Sequence, residues 1–227
     1  MESTERFPGF AILSELGRGT TGITYEAKDT HLNRRCVIKT TVPVPDADRP
    51  ARDRQFFFEA RALAYLTSFP ESSGIPKLHL VAVDNSGQPF YAREFVDGET
   101  LEARVAAGSI NGFDGLRTIA LIAGVVEWIH NQGFVHQNIN PSNVLIAHDS
   151  TPKLIGFGRA ALRTGSLHGN DSSTQVPPEV DIQRLQLLVR WLFTAVNQPV
   201  PTELAWITTA GSFATAGEFS RALATCL

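Results

Sequence analysis

Three glycines and a lysine in the first sixty residues are of the types that bind phosphate, and a carboxylate follows that could pair with the lysine. Gly17-Arg18-Gly19-Thr20-Thr21-Gly22 has the Gly-x-Gly-x-x-Gly spacing, in which bare backbone can approach phosphate oxygens. A glycine-rich turn without a ligand can have the same spacing. Lys39 and Glu59 follow along the chain, and such a pair either binds phosphates or forms an internal ion pair. The residues alone leave both interpretations open.

The elements that must position these residues are strands and one helix. Short runs of β-branched and aromatic residues predict strands at Phe10–Leu16, Ile23–Asp29, Arg35–Thr40, Leu78–Val83 and Pro89–Val96. Helical spacing predicts one helix at Arg52–Ser68, with Phe56, Glu59, Ala60, Leu63 and Leu66 on one face. Glu59 is therefore expected on a buried face, where a carboxylate needs a cationic partner.

The second half of the chain changes to amphipathic helices. Periodic apolar residues predict helices at Phe113–Asn131, Asp181–Val196 and Phe213–Leu227, and Asp181 is expected to cap the first turn of the second of these. Ser142–Ile146 and Lys153–Ile155 are predicted to be short strands. The sequence therefore predicts an α+β protein, with a small lobe of sheet plus one helix and a larger, mainly helical lobe.

Composition limits the expected partners. The 227 residues include 20 Lys or Arg and 23 Asp or Glu, a net charge of −3, so no excess of cations is present to bind nucleic acid or an anionic membrane. No apolar run approaches the ~20 residues that span a bilayer. Cys36 and Cys226 fit neither a disulfide framework nor a CxxC site, and the N-terminal residues have no signal-peptide pattern. We expect a cytoplasmic protein without nucleic-acid or membrane partners.

The motifs of the first half resemble those of bacterial (Hanks-type) Ser/Thr protein kinase domains. The glycines Gly17, Gly19 and Gly22 match the phosphate-binding loop of that family. Lys39, in Cys36-Val37-Ile38-Lys39, matches its strand lysine, and Glu59 matches the helix glutamate that pairs with that lysine. Phe90–Leu101 resembles the fifth strand and the hinge.

The second half continues the resemblance in the same order. Val135–Asn143 resembles the catalytic loop, Gly156-Phe157-Gly158 stands where Asp-Phe-Gly belongs, and Pro177-Pro178-Glu179 stands for Ala-Pro-Glu. The resemblance covers nearly the whole chain. It implies the bilobal protein kinase-like fold as one domain over residues 1–227, with a small lobe at 1–96 and a larger lobe at 97–227 that is shortened after the Asp181 helix.

Within this resemblance, the catalytic positions have lost their charges. Asn138 stands where the family has the Asp that accepts the hydroxyl proton, and a carboxamide is not a base. Gly156 stands at the metal-binding Asp, whereas Mg²⁺ prefers carboxylates. Asn140 replaces the loop lysine, which removes a cation from the transferring phosphoryl group. The resemblance therefore implies no intact catalytic set and no metal site, with Asn143 as a weak metal-ligand candidate.

Three residues at structural positions of the family are retained. His136 and Phe157 are expected to stack, and Asp181 is expected to anchor the backbone of the catalytic loop. We interpret His136 as a packed structural histidine, because no base or metal cluster accompanies it.

The resemblance also implies a nucleotide site, formed by Gly17, Gly19, Gly22, Val37, Lys39, Glu59, Arg93, Glu94, Val96, Asn143 and Leu145. Leu145 matches the apolar floor under adenine. Val37 replaces a small alanine and Arg93 directly precedes the hinge, so both could narrow the site. Arg93 could also pair with Glu59 and share that carboxylate with Lys39 or free Lys39. The sequence leaves nucleotide binding open.

The loss of the carboxylate at Gly156 weakens Mg²⁺ binding but also removes a repulsion from phosphates. If ATP binds, we therefore expect its binding to be Mg²⁺-independent or weakly Mg²⁺-dependent, and we expect no other cofactor.

The sequence thus predicts a pseudokinase, a catalytically inactive kinase-like domain that acts as a protein-interaction or allosteric regulatory module with a protein partner. The alternative is an atypical low-activity ATP-dependent Ser/Thr phosphotransferase or nucleotidyl transferase that uses Asn138 and Asn143. Transfer of label from γ-labelled or α-labelled ATP would favour the alternative.

Overall fold

The computed structural model of the chain describes residues 6–19, 22–45, 47–164, 175–209, 211 and 213–227. Over these residues the chain forms two compact units. The first comprises residues 6–69 and 76–96, and the second comprises residues 70–75 and the described part of 97–227. Strands dominate the first unit and helices the second, so the protein is α+β as the sequence predicts.

The first unit is a five-stranded antiparallel sheet with one helix. The strands are β1 (Phe10–Gly19), β2 (Gly22–Asp29), β3 (Arg34–Thr40), β4 (Leu78–Val83) and β5 (Pro89–Glu94), in the order β1-β2-β3-β5-β4. Helix α1 (Arg49–Leu66) connects β3 to β4. It begins three residues earlier than its pattern predicts, because Pro50 is tolerated in a first turn, where an N–H has no intrahelical partner.

The two faces of this sheet have different roles. On one face Phe90 contacts Phe7 and Phe10, with ring centroids 5.0 and 6.0 Å apart, in a fully apolar cluster. Successive strand residues point to opposite faces, so the next residue of β5, Tyr91, points to the other face. There its ring stacks on Phe56 of α1 at 5.5 Å. The face that carries α1 is therefore the face that can place strand side chains against Glu59.

The second unit contains four helices and two small sheets among the described residues. The strands are β6 (Gly98–Thr100), β7 (Phe134–Val135), β8 (Val144–Ala147), β9 (Pro152–Leu154) and β10 (Ala161–Leu162), paired as β6-β8-β9 and β7-β10. The helices are α2 (Leu101–Ala106), α3 (Gly112–Asn131), α4 (Glu179–Ala195) and α5 (Ala216–Ala224). No described helix is long and apolar enough to cross a membrane.

Helix α3 is the central element of this unit. It approaches α4 so closely that a Cβ at Gly115 would lie 2.6 Å from a methyl carbon of Leu192. On the side of α5, the Glu127 carboxylate accepts a hydrogen bond from the N–H of Gly217 at 2.9 Å, and the Ser220 hydroxyl donates to the Ala120 carbonyl at 2.8 Å. The predicted apolar stripe of α3 is thus buried between two helices.

Three predicted elements of the second unit begin at least two residues away from their observed starts. Ser142 and Asn143 form a 3-10 turn rather than the start of a strand, because the Asn140 side chain caps this turn by accepting from the Ser142 N–H at 3.0 Å. Helix α4 begins at Glu179, so Asp181 lies inside its first turn and does not cap it. Helix α5 begins at Ala216, where the Thr215 hydroxyl caps it.

Candidate functional site

The glycine motif lies on the β1–β2 hairpin, which pairs as far as Gly19 opposite Gly22. Thr20 and Thr21 lie outside the described residues. Gly22 has φ +154°, and a Cβ there would collide with the carbonyl oxygen of Thr40 on β3, so its close approach to β3 requires glycine. At Gly17 and Gly19, by contrast, a Cβ would meet no described atom within 4 Å. Packing requires glycine only at Gly22.

Lys39 and Glu59 form a buried ion pair. The Lys39 Nζ lies 2.8 and 2.7 Å from the two carboxylate oxygens of Glu59, and the side chains are 10% and 2% exposed. Because Lys39 is on β3 and Glu59 is on the buried face of α1, the pair joins the helix to the sheet. The prediction that Glu59 points inward and has a cationic partner is confirmed.

Tyr91 is a third member of this cluster, which the sequence analysis did not identify. Its hydroxyl donates to Oε1 of Glu59 at 2.9 Å. Burial, together with the charge of Glu59, raises the pKa of the phenol well above its ordinary value, so the hydroxyl remains a donor at neutral pH. Tyr91 lies directly opposite Lys39 on the neighbouring strand, so strand register, which the sequence alone does not provide, brings its hydroxyl to Glu59.

Arg93 lies on the same face of the sheet but does not bond to Glu59. Its Nη1 donates to the carbonyl oxygen of Glu94 at 3.1 Å, and the residue is 9% exposed. Both oxygens of Glu59 already accept from Lys39, so the alternative in which Arg93 takes this carboxylate is wrong. Val37, which is also buried, lies directly opposite Arg93 in the strand register.

Two further predicted nucleotide-site residues lie at the end of β5. The Glu94 carboxylate accepts from the backbone N–H of Lys77 at 3.0 Å, which ties it to the chain leading into β4. Val96 is buried just beyond the strand. Glu94 therefore has a structural contact within the first unit, and the role of Glu94 and Val96 toward a nucleotide stays a prediction.

In the second unit, Asp181 anchors the predicted catalytic loop. Its carboxylate accepts from the backbone N–H groups of His136 and Gln137, both at 2.7 Å, and Nε2 of His130 lies 3.0 Å from Oδ2. Asp181 is fully buried. Burial by itself raises the pKa of this carboxyl, but the hydrogen bond from His130 and the contacts with His136 outweigh it and hold the pKa below its ordinary value. The family resemblance implies that Asp181 anchors this loop, but the motifs do not indicate His130 as a further partner.

His136 and Phe157 pack edge to face, with ring centroids 4.6 Å apart. Nδ1 of His136 accepts from the Asn138 N–H at 3.2 Å, which leaves the proton on Nε2 to donate to the Ile155 carbonyl at 3.0 Å. Backbone groups engage both ring nitrogens, so His136 has the packed structural position that the sequence predicted.

The catalytic loop itself carries carboxamides that bond to one another. The Asn140 Nδ2 donates to the backbone oxygen and to Oδ1 of Asn138, at 3.0 and 3.2 Å. The Asn143 Nδ2 donates to the same backbone oxygen at 2.8 Å. Each side chain is thus held within the loop, and none of the three is a base or a cation.

Gly156 adopts φ +85°, and a Cβ there would lie 2.5 to 2.6 Å from the end of the Asn143 side chain. Asn143 therefore fills the space that a side chain at position 156 would need. Among the described residues, no three His, Cys, Asp or Glu side chains are grouped so that they could hold a metal ion. Because Mg²⁺ prefers carboxylate oxygens, Asn138, Asn143 and Gly156 do not fit a Mg²⁺ site.

Leu145, on β8, is half-buried.

Residues 10–180 match the family model of the protein kinase domain. The chain belongs to the protein kinase domain family. It is similar to serine/threonine-protein kinase PknA of Nostoc sp., with 31% identity over 177 residues that cover 74% of this chain and 31% of that protein. Serine/threonine-protein kinase C of Synechocystis sp. is 34% identical over 171 residues, or 71% of this chain and 31% of that protein.

A more distant relative is serine/threonine-protein kinase PknK of Mycobacterium tuberculosis, which is 28% identical over 158 residues that cover 69% of this chain and 14% of that protein. The chain therefore spans about a third or less of the length of these relatives. In this kinase domain, the ion pair of Lys39 with Glu59 and the Asp181 anchor are both formed.

The Asp181 anchor predicts a pH-dependent loss of stability. Asp181→Asn replaces an acceptor oxygen by a donor facing backbone N–H groups, so we expect the free energy of unfolding to fall by about 3 kcal/mol at pH 7. Because the folded-state pKa is lowered, the contribution of Asp181 is complete above the ordinary pKa of about 3.9 and is lost as the pH falls through the folded value.

Urea titrations between pH 7 and pH 2.5 measure the difference in unfolding free energy between wild type and Asp181→Asn. Glu71→Gln, which changes an exposed carboxylate, is the matched control. His130 and His136 face the same carboxylate and are unchanged in every variant. A difference between wild type and Asp181→Asn that stays constant below pH 4 would contradict the assignment.

The close contact at Gly156 predicts a second effect on stability. Gly156→Asp should be destabilised more than Gly87→Asp, because both glycines have φ near +80° but only Gly156 has a neighbour in the way. We expect backbone strain of about 1–3 kcal/mol at each position, with a further loss at Gly156. Adding Asn143→Ala should recover the further loss in a double-mutant cycle measured by urea unfolding. Equal losses at the two glycines would show that Asn143 does not fill this space.

Proposed function

We propose that this kinase domain is a pseudokinase that regulates or binds a protein partner, and that it binds ATP without turnover. The proposal includes a cytoplasmic location, in keeping with two cysteines that are both free thiols. The names of the relatives describe Ser/Thr kinases, and the loss of activity is proposed for this chain on its own residues.

The observation that carries the proposal is the amide network of the catalytic loop. Phosphoryl transfer depends on positioned charge: a base for the hydroxyl proton, metal ions and cations. Asn138 has no basicity, and loss of a general base alone typically costs about 10²–10⁴-fold in rate. Asn140 lacks the cationic charge that stabilises the transferring group, and neither Gly156 nor Asn143 provides a carboxylate for a metal ion.

The proposal that ATP binds is supported by the first unit. Gly17 and Gly19 have open space around them that no internal packing explains, and such bare backbone suits a phosphate. The Lys39 side chain is held in a fixed position by its ion pair with Glu59. Because the catalytic loop of the second unit does not fit Mg²⁺, the proposed binding is independent of the metal or depends on it weakly.

The proposed regulatory role is supported by what the structure retains. The buried pair of Lys39 with Glu59 and the buried Asp181 keep the motifs of each unit in place without a metal ion or a catalytic charge. A domain that is stable but has no catalytic set is suited to presenting a surface. The protein partner is part of the proposal, and its identity does not follow from these residues.

Incubation with labelled ATP tests the absence of turnover. We expect no transfer from γ-labelled or α-labelled ATP to the protein or to a generic peptide substrate, with or without Mg²⁺ or Mn²⁺. Lys39→Ala sets the background, and Lys28→Ala, an exposed lysine on β2, is the matched control. Transfer from γ-labelled ATP that Lys39→Ala abolishes would contradict the proposal and identify a phosphotransferase, and transfer from α-labelled ATP would identify a nucleotidyl transferase.

A further inference from the structure

Arg93 is a largely buried cation that forms no ion pair with a carboxylate of the described residues. The residue is 9% exposed, and its hydrogen bond goes from Nη1 to the carbonyl oxygen of the next residue, Glu94, at 3.1 Å. A guanidinium carries several N–H donors in a planar fork and keeps its charge in proteins. Burial of such a group is costly unless an anion compensates it.

The carboxylates near Arg93 do not provide this compensation. Glu59 accepts two hydrogen bonds from Lys39 and one from Tyr91, so its acceptor positions toward the sheet are in use. Glu94 points to the opposite face of β5, where its carboxylate accepts from the Lys77 N–H. Burial lowers the pKa of the Arg93 guanidinium, and the opposing effects of Tyr91, Glu59 and Glu94 do not outweigh it.

On the face of the sheet that carries α1, these side chains include more cations than carboxylates. Lys39 and Arg93 are two cations, and Glu59 is one anion bonded to the first of them. Lys39 lies opposite Tyr91, and Arg93 lies two residues further along β5 on the same face. Diagonal neighbours of this kind are about 7–8 Å apart, within reach of long side chains. One extended anion could contact both cations.

We propose that Arg93 is an anion-binding residue whose guanidinium contacts a phosphate group of a nucleotide bound without a metal ion. The guanidinium fork matches phosphate oxygens in a bidentate arrangement. In this way a side chain of the first unit supplies positive charge to phosphates that receive none from a metal ion. This inference rests on the nucleotide binding proposed above and extends it by naming the cation and the ligand group.

Binding measured by titration calorimetry in EDTA tests the inference. The probes are ATP, inorganic pyrophosphate and adenosine, and the proteins are wild type, Arg93→Met and the matched control Arg117→Met, an exposed arginine of α3. We expect Arg93→Met to bind ATP and pyrophosphate at least tenfold more weakly than wild type, to bind adenosine equally, and Arg117→Met to behave as wild type.

The outcomes separate the two proposals. Equal or tighter ATP binding by Arg93→Met would overturn the proposed phosphate contact of Arg93 and would show that this side chain obstructs the site. The proposal that the protein binds nucleotide would be unaffected. If wild type binds pyrophosphate but not ATP, and Arg93→Met abolishes the binding of pyrophosphate, Arg93 is part of an anion site. The proposal that the ligand is a nucleotide is then wrong. If wild type binds neither ATP nor pyrophosphate in the absence of Mg²⁺, the inference is wrong.

Unfolding of the ligand-free proteins gives an independent measurement. Because methionine removes a largely buried charge that forms no ion pair with a carboxylate of the described residues, we expect the thermal midpoint of Arg93→Met to equal or exceed that of wild type. A clearly lower midpoint would show that the protein already satisfies the guanidinium and would overturn the inference. Arg93→Lys, which keeps the charge but loses the fork, should bind pyrophosphate with an affinity between those of wild type and Arg93→Met.

Discussion

A buried carboxylate must be matched by hydrogen-bond donors, and this requirement organises each unit of the chain. In the first unit Glu59 takes its donors from Lys39 on β3 and Tyr91 on β5, so one side chain fixes α1 against two strands. In the second unit Asp181 takes its donors from the catalytic-loop backbone at His136 and Gln137. Removing either carboxylate would leave donors without partners, which costs more than the bonds themselves contribute.

These two anchors form without any contribution from the side chains at positions 138, 140 and 156. The donors to Asp181 are backbone N–H groups and a histidine, and none of them depends on a metal ion or on the residue at position 138. Asn138, Asn140 and Asn143 instead bond among themselves and to local backbone. These amides thus find hydrogen-bond partners within the loop although none of them carries a charge.

The sequence predicts the elements and the inward position of Glu59, because helical spacing and strand composition are local properties. It does not identify Tyr91 or separate the roles of Lys39 and Arg93 around Glu59, because these depend on strand register. The error at Asp181 has the same origin: an acidic residue near a helix start predicts a cap, whereas helix α4 begins at Glu179 and the carboxylate bonds to a loop 45 residues earlier.

The central claim is that this domain binds nucleotide without needing a metal ion, and thermal unfolding of the full chain tests it most directly. The samples contain no ligand, ATP with EDTA, or ATP with Mg²⁺. We expect the midpoint to rise with both forms of ATP, with little or no difference between them, by an amount corresponding to about 2.7 kcal/mol at a hundred times the dissociation constant. A rise that requires Mg²⁺ would reveal a metal site that these residues do not provide, and no rise in either sample would contradict nucleotide binding itself.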